Sequence, residues 1–238
     1  MSDTFSIPLS GLQSALMRQD VAANNIANVV TPGFQAQRAD QVDVAGGGSR
    51  ISATTTLRTP GGIDVTGNPF DLAVNGEGFF AVRSADGGTA FTRAGQFRID
   101  SGGNLVTSDG SAVLPGVRIP PGATGAQVTA GGQVNAILAD GTSQAAGQIQ
   151  LAQFPNPGGL TRRGGNLLTA NPASGAADVG APAQGGFGGI VSGALEGSNV
   201  DLVGEMVGLL ETSALFKANL KVVKAKDETL GALLDLKG

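Results

Sequence analysis

The side chains able to do chemistry in this chain are few and nearly of one kind. Carboxylates stand at Asp71, Glu77, Asp86, Asp100, Asp109 and Asp140, most of them beside glycine, as in Asp86-Gly87-Gly88 and Asp109-Gly110. Two such groups held at a set separation across a cleft could hydrolyse a glycosidic bond by acid and base catalysis. A sugar cleft is usually lined by aromatic rings, and here there is no Trp and no Tyr, so ten Phe carry all the aromatic surface. Asp beside Gly is also favoured in tight turns for its local hydrogen bonds, which explains these positions without catalysis. Asp100-Ser101-Gly102-Gly103-Asn104 could hold calcium loosely, but it departs from the EF-hand spacing. Gly76-x-Gly78-x-x-Ala81 fits a loose dinucleotide fingerprint that requires a following helix. Phe79-Phe80-Ala81-Val82 reads instead as a strand, so the glycines read as a turn.

The missing residue types narrow the classes further. There is no Cys and no His, which removes thiolate and imidazole metal sites, cysteine nucleophiles and the Ser-His-Asp arrangement. No metal, cofactor or enzymatic activity is expected. Nineteen acidic residues against fifteen basic ones leave a net charge of −4. Nucleic-acid binding needs a basic face that releases counterions, so no nucleic-acid partner is expected. Lys217, Lys221, Lys224 and Lys226 fall late in a helical stretch, where cations complement the dipole and form a solvated face. The opening run MSDTFSIPLSGLQSALMRQD has no basic segment followed by a long apolar core, so no cleaved secretory signal is expected. No stretch reaches the roughly 18 apolar residues of a membrane span.

The elements that would position these groups are best marked at the two ends. From Leu202 the residues Met206, Leu209, Ser213, Phe216, Leu220, Val223, Asp227, Leu230 and Leu234 step by four and three, the spacing of a helical seam, and only Ser213 and Asp227 are polar. Val203, Val207, Leu210 and Ala214 widen the apolar face beyond what one neighbour could cover. Ser198 and Asp201 read as a capping box ahead of it. A helix of roughly 38 residues would be about 57 Å long, so it needs partners to persist. Near the start, Phe5, Leu9, Leu12, Leu16, Gln19, Ala23, Ile26 and Val30 repeat the same steps, with Gln19 the polar member, and Thr31-Pro32-Gly33 ends the helix. Asn24, Asn25 and Asn28 are unusual inside a helix; they either face solvent or bond to neighbouring chains.

Between the ends, apolar runs of three to seven residues alternate with Asn75-Gly76, Asp86-Gly87-Gly88, Ser101-Gly102-Gly103-Asn104, Asp109-Gly110 and Asp140-Gly141, which reads as many short strands in a compact barrel or sandwich. The fold class is therefore α+β: N- and C-terminal α-helices forming a coiled-coil pair, with a central all-β domain of short antiparallel strands. Its parts are a helix over 1–34, an extended linker arm over 35–66 with a flexible joint at Gly46-Gly47-Gly48, a β domain over 67–184, a return linker over 185–197 and a helix over 198–238. The competing arrangement lays both helices on the surface of the β domain. A carbohydrate-binding or carbohydrate-active β protein is the different-class alternative.

Three blocks carry a resemblance that spans nearly the whole chain. Gly11-Leu12-Gln13, Asp20 through Val29 (DVAANNIANV) and Thr31-Pro32-Gly33-Phe34 resemble the N-terminal signature of bacterial flagellar rod and hook proteins. Asp71-Leu72-Ala73-Val74-Asn75-Gly76-Glu77-Gly78-Phe79-Phe80, Phe91-Thr92-Arg93-Ala94-Gly95-Gln96-Phe97 and Asn104 through Gly110 are similar to the central region of that family, and Gly193 through Val203 with Glu205-Met206-Val207 to its C-terminal signature. The distal rod type is the most similar, helped by Gly164-Gly165-Asn166-Leu167-Leu168, with the proximal rod type and the hook type as alternatives. The resemblance implies a structural basal-body subunit exported to the cell envelope and periplasm by the flagellar type III apparatus without a cleaved signal. Such a subunit would polymerise helically with copies of itself and contact other rod and hook proteins, with ring proteins around the shaft. Assembly is expected to rest on Leu9, Leu12, Leu16, Ala23, Asn24, Asn25, Ile26 and Asn28, and on Ser198, Asn199, Leu202, Met206, Leu209, Phe216, Leu220, Val223 and Leu230.

Overall fold

A computed structural model describes residues 5–235. Residues 1–4 and 236–238 of the two expected end helices lie outside the described residues, as do the side chains of Leu233 and of the seam member Leu234. The chain divides into two compact units, one built from 1–29, 36–57 and 200–238 and the other from 30–35 and 58–199.

The first unit holds helix α1 (Ser6–Ala27), an antiparallel hairpin of β1 (Gln37–Asp43) and β2 (Ser49–Thr56), and helix α2 (Leu202–Asp235). Segment 35–66 thus contains a paired hairpin, and Gly46-Gly47-Gly48 forms its tip, where Gly47 N–H donates to Val44 C=O at 2.8 Å. The two helices run antiparallel. Asn25 meets Glu205, Gln19 meets Ser213, and Gly11 lies so close to Asn219 that a Cβ there would approach its amide to 2.9 Å. Gln19 and Ser213, each a polar break in an apolar stripe, are hydrogen-bonded to each other at 3.3 Å.

Among the described residues, the most deeply buried side chains of the two helices are likewise small or polar. Ser14, Ala15, Ala22 and Asn25 are buried on α1 and Thr212 on α2. Asn25 was expected to face solvent or a neighbouring chain, but it is fully buried and bonded within its own chain. Its Nδ2 donates to Gln37 C=O at 2.7 Å and to Glu205 Oε1 at 2.6 Å, and its Oδ1 accepts from Gln37 N–H at 2.9 Å. One side chain therefore pins the first rung of the hairpin to both helices. Asn25→Ala should leave the Gln37 amide and the Glu205 carboxylate without these partners. At about 1–3 kcal/mol per orphaned buried group, a loss of roughly 2–4 kcal/mol is expected, read by urea unfolding followed by circular dichroism.

Helix α2 starts later than the Ser198 box would place it. Asp201 immediately precedes the first helical residue, and its carbonyl accepts from Glu205 N–H at 2.9 Å. The preceding residues are held extended inside the second unit, where Gly197 N–H donates to Gly62 C=O and Asn199 Nδ2 to Thr59 C=O, both at 2.7 Å.

The second unit is the β domain. Its strands are β3 (Ile63–Val65), β4 (Leu72–Asn75), β5 (Phe79–Arg83), β6 (Thr89–Thr92), β7 (Phe97–Ile99), β8 (Leu105–Thr107), β9 (Ala112–Val113), β10 (Ala123–Val128), β11 (Gln133–Leu138), β12 (Ser143–Gln148), β13 (Leu151–Gln153), β14 (Thr161–Gly164), β15 (Leu167–Thr169), β16 (Asp178–Gly180), β17 (Gly189–Ser192) and β18 (Ala194–Glu196). The largest sheet runs β14-β15-β6-β5-β9-β8-β7, with β13 joined to β5 and β16 to β13; β10-β11-β12 form a second sheet. All of these pairs are antiparallel. Segment 185–197 contains β17 and β18, which return to pair with β4 and β3.

Successive side chains of a strand face opposite ways, and both faces of β5 are covered. Phe80 enters a core with Leu72, Val74, Leu105, Val134, Ile149 and Leu151, whereas Phe79 enters a second one with Phe91, Phe154, Leu160 and Leu168. An edge-on ring contact lies within each cluster, 5.1 Å between Phe80 and Phe97 in the first and 4.8 Å between Phe91 and Phe154 in the second. Burial on both faces explains why β4 and β5 read as unbroken apolar runs. Strand β12, SQAAGQ, carries no such signal and is held by its pairing with β11.

Candidate functional site

The residues expected to drive assembly fall into two groups in the first unit. Leu9, Leu16, Ala23 and Asn24 of α1 and Leu202, Met206, Leu220 and Leu230 of α2 are exposed. Leu12, Ile26, Asn28, Leu209, Phe216 and Val223 are half-buried, and Asn25 is interior. Sequence periodicity did not single out Val203 and Leu210 as seam members, yet each is 70 % exposed, the barest of the large apolar side chains described on α2. Ile7 and Met17 of α1 are likewise exposed. Leu9, Leu16, Leu202, Leu210 and Leu220 are thus left exposed, whereas Leu12 and Leu209 are half-buried. Ser198 and Asn199 lie half-buried at the end of the β unit.

Within the β unit, the three motif blocks converge on one residue, Glu196. Glu196 stands opposite Ile63 in the pairing of β18 with β3, and its C=O accepts from Gly33 N–H at 2.7 Å. One carboxylate oxygen accepts from Gly61 N–H at 3.3 Å, and the other lies 3.1 Å from Arg93 Nε, with both side chains almost wholly buried. The alignment of that last contact is poor for a hydrogen bond, so it acts through charge. The guanidinium of Arg93 spends its other donors on Gly76 C=O (2.9 and 3.0 Å) and Gly78 C=O (2.6 Å). Desolvation pushes the Glu196 pKa up and that of Arg93 down, each opposed by the charge of the other.

Gly33 seats the N-terminal block here. It has φ +66, and a Cβ on it would lie 2.4 Å from Ala94 N, so only glycine fits. Gly33→Ala should cost at least about 2 kcal/mol of β-unit stability, combining the left-handed backbone penalty with the clash, measurable as a lowered thermal midpoint. Beside it Phe34 lies under Arg162, 4.8 Å from guanidinium carbon to ring centre, and Asn166 donates to Pro32 C=O at 3.2 Å.

A cleft of about 270 Å³ opens next to this junction, with Phe79, Phe154, Pro60 and Pro157 among its walls and Gln35, Arg58, Glu77, Arg93 and Gln153 as polar lining. Glu77 is the only carboxylate in that lining. The other five carboxylates singled out in the sequence, Asp71, Asp86, Asp100, Asp109 and Asp140, already have hydrogen-bond donors. Asp71 accepts from Thr66 and Asn68, Asp86 from Arg163, Asp109 from Thr107 and Ser111, and Asp140 from Thr142. Asp100 Oδ1 accepts from the N–H groups of Gly102 and Asn104 at 2.8 Å each, so the loop's main oxygen is already occupied. These bonds hold Asp86, Asp100 and Asp140 below the usual carboxylate range, through Arg163, Asn104 and Thr142 first in each case. After Gly78 comes strand β5, and the carbonyls of Gly76 and Gly78 face Arg93, so the dinucleotide fingerprint is a turn. Among the described residues no cluster of acidic groups could hold a metal ion, and no helix is long and apolar enough to cross a membrane.

Comparison with known proteins places the same three blocks. Residues 7–35 match the family described as Flagella basal body rod protein, 73–136 the Flagellar hook protein FlgE/F/G D1 domain, and 191–236 the Flagellar basal body rod FlgEFG protein C-terminal region. The class these define is that of flagellar rod and hook proteins. Similar along nearly their whole length are three proteins called Flagellar basal-body rod protein FlgG. That of Caulobacter vibrioides is 36 % identical over 96 % of this chain and 97 % of its own. The Bacillus subtilis protein is also 36 % identical, over 96 % and 97 %, and the Agrobacterium fabrum protein 35 %, over 94 % and 95 %. The chain belongs to the flagellar basal-body rod protein family.

Proposed function

We propose that this chain is a structural subunit of the bacterial flagellar basal-body rod, of the distal type, which self-assembles helically into the hollow shaft that transmits torque to the hook. The carrying observation is the inversion in the first unit. Its two helices meet at Asn25 with Glu205 and Gln19 with Ser213, and the small residues Ser14, Ala15, Ala22 and Thr212 are buried, while Leu9, Leu16, Leu202, Val203, Met206, Leu210 and Leu220 stay exposed. A contiguous apolar surface of this kind marks an interaction site, and a self-contact that does not close on itself generates a helical polymer. The terminal helices would then form the inner tube, with the β unit outside it.

On this reading the subunit reaches the cell envelope and periplasm through the flagellar export apparatus without a cleaved signal. Its neighbours are copies of itself, other rod and hook proteins, and the rings around the shaft. Its role is mechanical rather than catalytic, in keeping with turn-bound carboxylates. Sedimentation and electron microscopy of the purified chain over a concentration series test the reading. Tubes that appear above a threshold concentration are expected; a dispersed monomer throughout, and a deletion strain that builds normal rods, would sink it.

A further inference from the structure

The lysines of α2 lack counter-charges within their own chain. Lys217, Lys221 and Lys224 step by four and three, so they share one stripe of the helix, and all three are exposed. Among the described residues none of them has a carboxylate within ion-pair distance. No Asp or Glu stands three or four positions from Lys217 or Lys221, and residues 5–17 of the opposing helix segment contain no charge at all. Like charges at this spacing weaken a helix, so the stripe works against the monomer. A second feature lies just beyond it. The contacts of Asn25 with Glu205, Gln19 with Ser213 and Gly11 with Asn219 set the level of one helix against the other, and continuing them brings Ser6, where α1 begins, level with about Lys224. Residues 226–235 of α2 therefore run past α1 for about 15 Å. Side chains 227–232 and Asp235 are all exposed there, and Leu230 keeps 45 % of its surface bare. An overhang of this kind, with Gly231 inside it, is marginal as a helix until a neighbour packs on it.

We propose that the overhang of one copy lies on the lysine stripe of the next, with Glu228 and Asp235 supplying the counter-charges to Lys217 and Lys224. The spacings match. Glu228 and Asp235 are seven residues apart, as are Lys217 and Lys224, and all four fall on the same stripe of α2. Two parallel helices offset by eleven residues, about 16 Å, bring both ion pairs together at once. Charge complementarity thus selects a second copy position by position, and Leu230, which borders the acids, loses its bare surface in the same contact. Each copy offers its overhang to one neighbour and its stripe to another, so the contact does not close and can repeat. The inference rests on the polymeric reading above and adds to it a direction and a register.

Charge reversal in the full chain tests it. A stripe variant, Lys217→Glu with Lys224→Glu, and an overhang variant, Glu228→Lys with Asp235→Lys, should each raise the threshold concentration for polymerisation about tenfold, because two exposed ion pairs become repulsions. An equimolar mixture of the two should polymerise near the parent's threshold, since each variant then meets the opposite charge on the other. Circular dichroism of the dilute variants should match the parent, because all four side chains are exposed. A parent-like threshold in either variant, or a mixture as impaired as its components, would overturn the contact and leave the polymeric reading standing. A parent that stops at a dimer, with rescue by mixing intact, would mean that the same charges pair between antiparallel helices in a closed contact, and both readings would fall. If the parent never associates, the rod reading falls and this contact with it.

Discussion

Glu196→Ala should lower the unfolding free energy of the β unit by about 3–5 kcal/mol, the usual cost of stripping one partner from a buried ion pair. For a unit of this size that corresponds to a fall of roughly 6–20 °C in Tm, read by calorimetry. The reason is local. Arg93 would keep its hydrogen bonds to Gly76 and Gly78 but lose the only carboxylate that contacts it, and Gly61 N–H would lose its acceptor. Arg93→Met makes a complementary forecast with a definite sign. Without the guanidinium, only the Gly61 N–H opposes the desolvation that pushes the Glu196 pKa up, so the folded state holds a proton more tightly than the unfolded one. Stability is then greatest below the ordinary glutamate pKa and is lost as pH rises through the folded value, so this variant should melt higher at pH 5 than at pH 8. Equal melting at the two pH values would show that Glu196 is not the buried titrating group described here.

Leu210→Asp combined with Leu220→Asp should abolish assembly with little effect on the monomer. Leu210 is 70 % exposed and Leu220 39 %, so neither substitution opens a cavity. Each leucine contributes about 1.5–3 kcal/mol when a neighbouring copy buries it. The two sites lie about 15 Å apart along α2, far enough for their effects to add. A combined loss of about 3–6 kcal/mol raises the threshold concentration by roughly two to four orders of magnitude. The matching monomer measurement, urea unfolding, should move by no more than about 0.5 kcal/mol. A double variant that polymerises and restores swimming to a deletion strain would refute the role given to this surface.

The apolar steps at the two ends placed both helices, and the Asn-Gly and Asp-Gly turns marked the β unit as a series of short antiparallel strands. The partner of each helical face was not legible. A leucine at heptad spacing shows that it will be buried, not whether its own chain or a second copy does the burying. The residues buried within the unit are instead Ser14, Ala15, Ala22 and Thr212, and small residues leave almost no periodic signal. Asn25 misled for a related reason: a helix-interior asparagine signals a hydrogen-bonding requirement, but the partners at Gln37 and Glu205 depend on the tertiary fold. The hairpin of β1 and β2 hid behind three consecutive glycines, which suit a tight tip as well as a loose joint. Arg93 and Glu196 were each quoted within a motif block, yet nothing in local sequence couples a central arginine to a glutamate near the C-terminal signature.

Glu196 occupies an unusual mechanical position. The chain comes into the β unit at Arg58 and leaves it after Asn199, two of its four crossings, and inward of the Asn199–Thr59 and Gly197–Gly62 bonds the first paired residues of β18 and β3 are Glu196 and Ile63. Tension on the crossings loads the two antiparallel strands from the same end, the geometry in which a zipper opens tooth by tooth under little force. The first tooth is the one riveted to Arg93, Gly61 and Gly33. A rotating shaft made of such subunits would carry its repeated strain into that rivet before any other strand could begin to peel.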